Sequence, residues 1–402
     1  MGIHGFSNVF SSTRTINFHS ICNKTIAIDA MGEIYRTLLG ASNVNTLTDF
    51  EGKTTLHINI ILANIIAMQK ENIKQIWVFD TKHCHLKNNE LKKRSDRRNN
   101  AKCRIEQLKI QLSDIKKEKD KKNEGLLDEI ELDMSIYNKQ CENVDDANNA
   151  DDADELDDAN NADELDELDE MKIKKITDNI NSLKKQTFVV QYEHIEDVKT
   201  LLDFANITYI DAPSGVEGEA YASYLCKIGI ANGVYSIDTD PIAFGSPTLY
   251  RKNTRTGKIQ EYTQIDIINQ VSMYFDMNNI DKDTPISFND ILKICLILGT
   301  DFAKKTPRVG VKTVIKKFLD IELTEEQLRA KNIFTQDMKC LSKNDEILEY
   351  INCRIKNPTL QNNDKLISWL VNKGFNKIRI ETQLNKLTEK INIKKTKKLI
   401  KK

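Results

Sequence analysis

Residues Gly233–Gly245 read GVYSIDTDPIAFG, an apolar run that breaks into two aspartates, Asp238 and Asp240, and then turns at Pro241. In an extended chain, residues two apart point to the same side, so this pair presents two carboxylates together where a buried strand ends. Two like charges held that close are unfavourable unless a cation or a proton sits between them. An Asp-rich turn after a strand is also common in solvated loops, and the stretch alone does not choose between the two readings.

The pattern recurs along the chain. Thr25–Asp29 (TIAID) and Gln75–Asp80 (QIWVFD) are short apolar runs that also end on an aspartate. Another, ITYIDAP, closes at Asp211-Ala212-Pro213, and Glu217 and Glu219 follow where a helix begins. Asp301 comes soon after the apolar run Ile291–Leu298. Between these runs lie helical patterns: Thr54–Lys70, a charged stretch from Lys87 to Lys122 with Ile105, Leu108 and Leu112 at helical spacing, and segments from about Ile195 to Ala205 and about Glu217 to Ile228. FVVQY, residues 188–192, reads as one more strand, and the residues up to about Lys24 as a mixed, mainly helical segment. Strands alternating with helices predict an α/β fold, a largely parallel central sheet flanked by helices. Ligands of such sheets bind at the carboxyl ends of the strands, where the acids gather. A pocket of carboxylates calls for hard cations, magnesium or manganese. Two such ions about 4 Å apart are the usual device for in-line attack at a phosphodiester.

The net charge of -1 over 402 residues averages unlike parts. Glu142–Glu170 holds 15 acidic residues and no Lys or Arg, and repeats DDANNAD at Asp145–Asp151 and Asp157–Asp163. So polar a repeat predicts a disordered insertion. Without it the chain carries 59 Lys and Arg against 45 Asp and Glu, the balance of a polyanion binder. The 8 cysteines form no CxxC pair, which predicts reduced, intracellular thiols. His83-Cys84-His85 has no second ligand pair at zinc spacing. No apolar run reaches the roughly 18 residues of a membrane span, so no membrane association is expected. No signal peptide is visible, and Phe6 occupies the place where a myristoylation signal needs Ser or Thr.

With these residues in view, the chain resembles the flap endonuclease/XPG family of structure-specific 5′ nucleases, over most of residues 1–100 and 186–320. MGIHGF is similar to the family's MGI-x-G-[LF] start, AIDAMGEIY to its first acidic motif, and VFDTKHCHLKNNELKKRSDRR to the segment leading from the second acid into a helical arch. DAPSGVEGEAYASYL resembles DAPxEAEA, SIDTDPIAFGSP resembles TEDxDxLxFGSP, and LILGTDFAKKTPRVGVKTV resembles LLGxDY with its helix-hairpin-helix turn. The resemblance implies a PIN-like nuclease core with a helical arch and a helix-hairpin-helix DNA-binding segment. It implies two Mg2+ ions, replaceable by Mn2+, the first held mainly by Asp29, Asp80, Glu217 and Glu219 and the second mainly by Asp238, Asp240 and Asp301. Lys87 and Arg94 match the arch-base cations that steady the scissile phosphate. Gly2, Tyr35, Arg97, Arg98, Gly310 and Lys312 match DNA-contacting positions, although a buried core place for Tyr35 and a surface charge face for Arg97 and Arg98 explain those residues as well.

Several positions depart from the family pattern. Gly215 and Val216 are extra before the glutamates, Ile237 replaces an acid, Arg308 stands where a glycine is usual, and Val311 where proline is usual. The tail NIKKTKKLIKK has no sliding-clamp-binding box. The implied organisation is an N-terminal nuclease region (1–98), a charged arch (99–141), the acidic insertion and linker (142–185), an internal nuclease region with the hairpin (186–330) and a C-terminal helical region with a basic tail (331–402). The expected partner is DNA with a 5′ flap, nick or junction, bound by a monomer inside the cell, in the nucleus or another site of DNA replication if the source is eukaryotic or viral. A 5′→3′ exonuclease of the same family, and a non-catalytic DNA-binding factor on the same fold, are the alternatives.

Overall fold

A computed structural model describes residues 2–40, 47–81, 87–141, 157–253, 256–280, 284–341, 343–355 and 364–386, with side chains at 120, 122–141 and 157–168 excepted. The chain divides into two compact units, residues 1–92 with 189–402, and residues 93–188. The elements begin with α1 (Phe6–Val9), β1 (Arg14–Ile16), β2 (Thr25–Asp29), α2 (Ala30–Gly40), α3 (Leu56–Lys70) and β3 (Lys74–Phe79). Two long helices follow, α4 (Asn88–Cys141) and α5 (Asp157–Thr187), then α6 (Tyr192–Phe204), β4 (Thr208–Asp211), α7 (Gly218–Lys227) and β5 (Gly233–Tyr235). The rest is α8 (Asp240–Ala243), β6 (Thr248–Lys252), β7 (Ile259–Thr263), α9 (Gln264–Met277), α10 (Phe288–Leu298), α11 (Val314–Lys317), α12 (Glu325–Phe334), α13 (Asn344–Arg354) and α14 (Asp364–Asn372).

The first unit is built on a seven-stranded sheet in the order β1-β7-β6-β5-β2-β3-β4. Strands β6, β5, β2, β3 and β4 run parallel, and β7 and β1 add an antiparallel edge. The central strands are apolar throughout because both faces are covered. Ala27, Ile76, Val78 and Val234 face a core shared with α7 and α10, while their alternates Ile26, Ile28, Trp77 and Phe79 are buried too. Asp29 ends β2 beside Val78 of β3, so successive parallel strands deliver their carboxyl ends to one edge.

Three segments differ from their sequence patterns. FVVQY forms no strand: residues 188–191 are a connector, and α6 begins at Tyr192. Val189 and Tyr192 are exposed and the sheet ends at β4, so these β-prone residues lack the neighbour that would make them a strand. The N-terminal segment is only briefly helical, because Arg14–Ile16 pairs with β7 as an edge strand too short for alternation to register. Residues 142–156 of the acidic repeat lie outside the described residues, as do His83-Cys84-His85 and the tail from 387. Asp157–Glu170, expected to be disordered, is helical. It continues into a segment where Ile176, Ile180 and Leu183 pack on Ile105, Leu108 and Leu112, so an apolar seam within the second unit carries the helix. No helix among the described residues is long and apolar enough to cross a membrane.

In the hairpin between α10 and α11, Arg308 adopts φ 62°, the left-handed region that glycine occupies without strain. A side chain there costs about 1–2 kcal/mol, partly offset because glycine loses more entropy on folding. Arg308→Gly should therefore raise the thermal midpoint, by a free energy of up to about 1 kcal/mol. A lower midpoint in a melting experiment would show that the guanidinium stabilises the turn more than its backbone strains it.

Candidate active site

The apolar run Gly233–Tyr235 ends as strand β5 before the aspartates, so Asp238 and Asp240 do not share an extended face as their spacing predicts. They meet because the chain turns. The Asp238 carboxylate accepts the Thr239 N–H at 2.6 Å, and Asp240 opens the one-turn helix α8. Oxygens of Glu219, Asp238 and Asp240 lie within 4.8 Å of one another.

Glu217 and Glu219 reach the same pocket despite the two extra residues before them. Gly215, at φ 83°, completes a turn closed by the Val216 N–H on the Pro213 carbonyl at 2.9 Å, and the Val216 side chain enters the core. Glu217 is then the residue before α7, and Glu219 lies in its first turn. Asp80, just past β3, accepts the Gly218 N–H at that helix start. Asp29 accepts the Gly32 N–H at 2.9 Å from the beginning of α2. Anions at these two helix starts meet the positive ends of the backbone dipoles.

Lys87 brings a positive charge among the acids. Its Nζ lies 2.9 Å from Glu217 and 3.9 Å from Asp301, and 5.3 Å from the centre of the Phe302 ring. Burial disfavours its charge, yet Glu217, Glu219, Asp240 and Asp301 together raise its pKa above that of an ordinary lysine. The N-terminus completes the wall. Gly2 is buried at φ 80°, and a Cβ there would stand 1.7 Å from Asp238 Oδ1, so no larger residue fits without displacing the carboxylate. Beside it, the Ile3 N–H donates to Thr239 Oγ1 at 3.0 Å.

The other sequence-derived candidates fall elsewhere. Tyr35 is half-buried on α2. Gly310 and Lys312 are exposed in the hairpin, where Thr313 Oγ1 accepts the Gly310 N–H. Arg94, Arg97 and Arg98 lie on α4 within the second unit, Arg97 exposed and the other two half-buried. A cleft of about 670 Å³ lined by Phe50, Tyr192, His194, Asp197 and Lys373 contains none of the seven acids. The sequence reading missed Ser236, whose hydroxyl lies 2.8 Å from both Asp29 and Glu219. Its signal was present in the spacing, two residues before Asp238, but serine carries no charge to draw attention.

Donor chemistry is the test of whether this pocket suits a cation. Burial, with the charge of Asp80 added, pushes the Asp29 carboxyl up to about 6 despite hydrogen bonds from Gly32 and Ser236. Burial and neighbouring carboxylates also raise Asp238, and raise Glu219 and Asp240 far above the usual range. Both Asp240 oxygens are buried and have no hydrogen-bond partner among the described residues. An all-oxygen donor set that includes the buried Asp240 carboxylate fits a hard divalent ion.

Comparison with known proteins agrees. The XPG N-terminal domain matches residues 1–101 and the XPG I-region matches residues 206–301. Flap endonuclease 1-A of Xenopus laevis is 27% identical over 321 residues, covering 78% of this chain and 65% of the relative, so the chain spans just under two thirds of that protein. Flap endonuclease 1 of Cryptosporidium parvum is 25% identical over 98% of this chain and 71% of its own length. The fold matches flap endonuclease-1 from Methanococcus jannaschii with a TM-score of 0.50 at 19% identity, over 95% of this chain and 96% of that one. It matches the catalytic core of Rad2, solved in complex with DNA substrate, with a TM-score of 0.51 at 14% identity, over 96% and 100%. Fold and strand-end acids thus define an α/β nuclease-type core. The chain belongs to the flap endonuclease/XPG family.

A carboxyl whose pKa is raised on folding binds more protons in the native state, so its stabilisation is present below the unfolded value and lost as pH rises through the folded one. For Asp29 that window runs from 3.8 to about 6. A divalent ion replaces those protons, so the rise in thermal midpoint on adding MgCl2 should be larger at pH 7.5 than at pH 5. An equal rise at both values in a melting series would contradict cation binding among these acids.

Proposed function

We propose that the chain is a divalent-metal-dependent, structure-specific 5′ nuclease that hydrolyses a DNA phosphodiester at a 5′ flap or single-strand/double-strand junction during replication, repair or recombination. The observation that carries this reading is the Asp240 carboxylate, 1% exposed, with neither oxygen hydrogen-bonded among the described residues and Glu219 and Asp238 within ligand reach. A buried anion without a partner is costly, and a bound cation removes that cost. The relatives' names and the DNA complex of the Rad2 core support the same substrate class.

Asp29, Asp80, Glu217 and Glu219 would hold one ion and Asp238, Asp240 and Asp301 a second, with Glu219 standing between the sets. When bound, magnesium or manganese would lower the pKa of a water nucleophile and stabilise charge on the attacked phosphate. The chain's own residues do the rest. Lys87, kept protonated by its carboxylate neighbours, is a preplaced cation for the phosphate oxygens on which charge builds. Arg94 is proposed as a second cation for the phosphate. Gly2 leaves room at the pocket wall, and Tyr35, Arg97, Arg98, Gly310 and Lys312 would contact the DNA, the hairpin through main-chain N–H groups on phosphate.

End-labelled flap, nicked, blunt and single-stranded DNA incubated with MgCl2 should give a product cut near the flap junction. Single-nucleotide products would mark the 5′→3′ exonuclease instead, and no product would mark a DNA-binding factor. Asp240→Asn should reduce cleavage by on the order of a thousandfold, several kcal/mol of transition-state stabilisation, while junction binding persists. Undiminished cutting by that variant would overturn the assignment.

Lys87→Ala should slow the single-turnover rate by about a hundredfold or more. Its dissociation constant for flap DNA should change little, since one phosphate contact is a small share of the electrostatic total. A loss confined to affinity would remove Lys87 from the chemical step.

A further inference from the structure

Ser236 follows β5 and is 3% exposed. Its Oγ lies 2.8 Å from Asp29 Oδ2 and 2.8 Å from Glu219 Oε1, and accepts the Asp238 N–H at 2.9 Å. A serine hydroxyl has one hydrogen and two lone pairs. One lone pair takes the Asp238 N–H, and the single hydrogen can serve only one carboxylate. The second carboxylate at 2.8 Å is therefore a contact that the hydroxyl hydrogen alone does not satisfy. Asp29 ends β2, Glu219 lies in the first turn of α7 and Asp238 sits in the turn after β5, so one side chain ties together acids from three separate places in the chain.

We propose that Ser236 is a positioning residue that sets the separation of Asp29 and Glu219 and thereby the affinity of the pocket for a divalent ion. This rests on the metal-dependent reading above and deepens it. Packing alone does not explain the residue, because the two acidic contacts demand a donor and the Asp238 N–H demands an acceptor. An alanine would leave that N–H buried without a partner, which costs stability whether or not an ion binds. The test must therefore separate stability from ion affinity.

The full chain and its Ser236→Ala, Ser236→Cys and Ser236→Thr variants would be titrated with MnCl2 by calorimetry and melted with and without the ion. Partners of metal ligands typically contribute tenfold to a hundredfold in metal affinity. Ser236→Ala should weaken Mn2+ binding by about that factor and shrink the ion-dependent rise in thermal midpoint. Ser236→Cys keeps the shape with a poor donor and should behave as the alanine variant does, which preserves the test if alanine fails to fold. Ser236→Thr keeps the hydroxyl and should restore binding. Midpoints lowered equally with and without Mn2+, at unchanged affinity, would reduce Ser236 to a packing role and overturn the proposal alone. Absence of Mn2+ binding to the unsubstituted chain would overturn the metal-dependent reading, and this proposal with it.

Discussion

Burying Asp29, Glu217, Asp238 and Asp240 in one pocket works against folding, because each carboxylate loses its water and gains like-charged neighbours. Lys87 offsets part of this, through Glu217 and the nearby Asp301. Backbone N–H groups offset more: Gly32 for Asp29, Gly218 for Asp80 and Thr239 for Asp238. Asp240 has the charge of Lys87 nearby but accepts no hydrogen bond among the described residues. The apolar core beneath supplies the stability that tolerates this burial, with most of α7 buried against β2, β3 and β5 and most of α10 buried among α8, α9, α11 and α12.

The parallel sheet makes the gathering possible. Strands that run in one direction end at one edge, and the connections after β2, β4 and β5 lead into helices whose first N–H groups can face an anion. Asp29 passes into α2, the turn after β4 into α7, and Asp240 is itself the first residue of α8. Sequence distance is irrelevant to this geometry. Ser236 and Asp29 are 207 positions apart and within hydrogen-bond reach, as are Lys87 and Glu217 at 130.

This explains what could be read from the chain beforehand. Apolar runs that stop on an acid are a local pattern, and TIAID, QIWVFD and GVYSID each state a strand and its end in a few residues. How the last run delivers its two aspartates is not local. Alternation suggested a shared strand face, whereas the Asp238 side chain folds back on the Thr239 N–H and so forms the turn that carries Asp240. FVVQY failed for the complementary reason, since β-prone side chains do not create the neighbouring strand they need. Ser236 was invisible because its importance lies in which partners surround it, and those come from β2 and α7.

The second unit obeys a different balance. Its apolar content is a narrow seam, Ile105, Leu108 and Leu112 against Ile176, Ile180 and Leu183, and most other side chains described on these two helices are charged or polar. Acidic residues fill the beginning of α5, and Lys184 and Lys185 stand in its last turn, so its charges oppose the helix dipole at both ends. The Lys119–Glu170 pair, 3.4 Å apart beyond the seam, continues the antiparallel pairing of α4 and α5 toward the acidic repeat. A repeat too polar to fold by itself thus becomes helical where it is continuous with a segment that has something to bury. Composition alone predicted disorder because it averages over a boundary that packing draws at the seam.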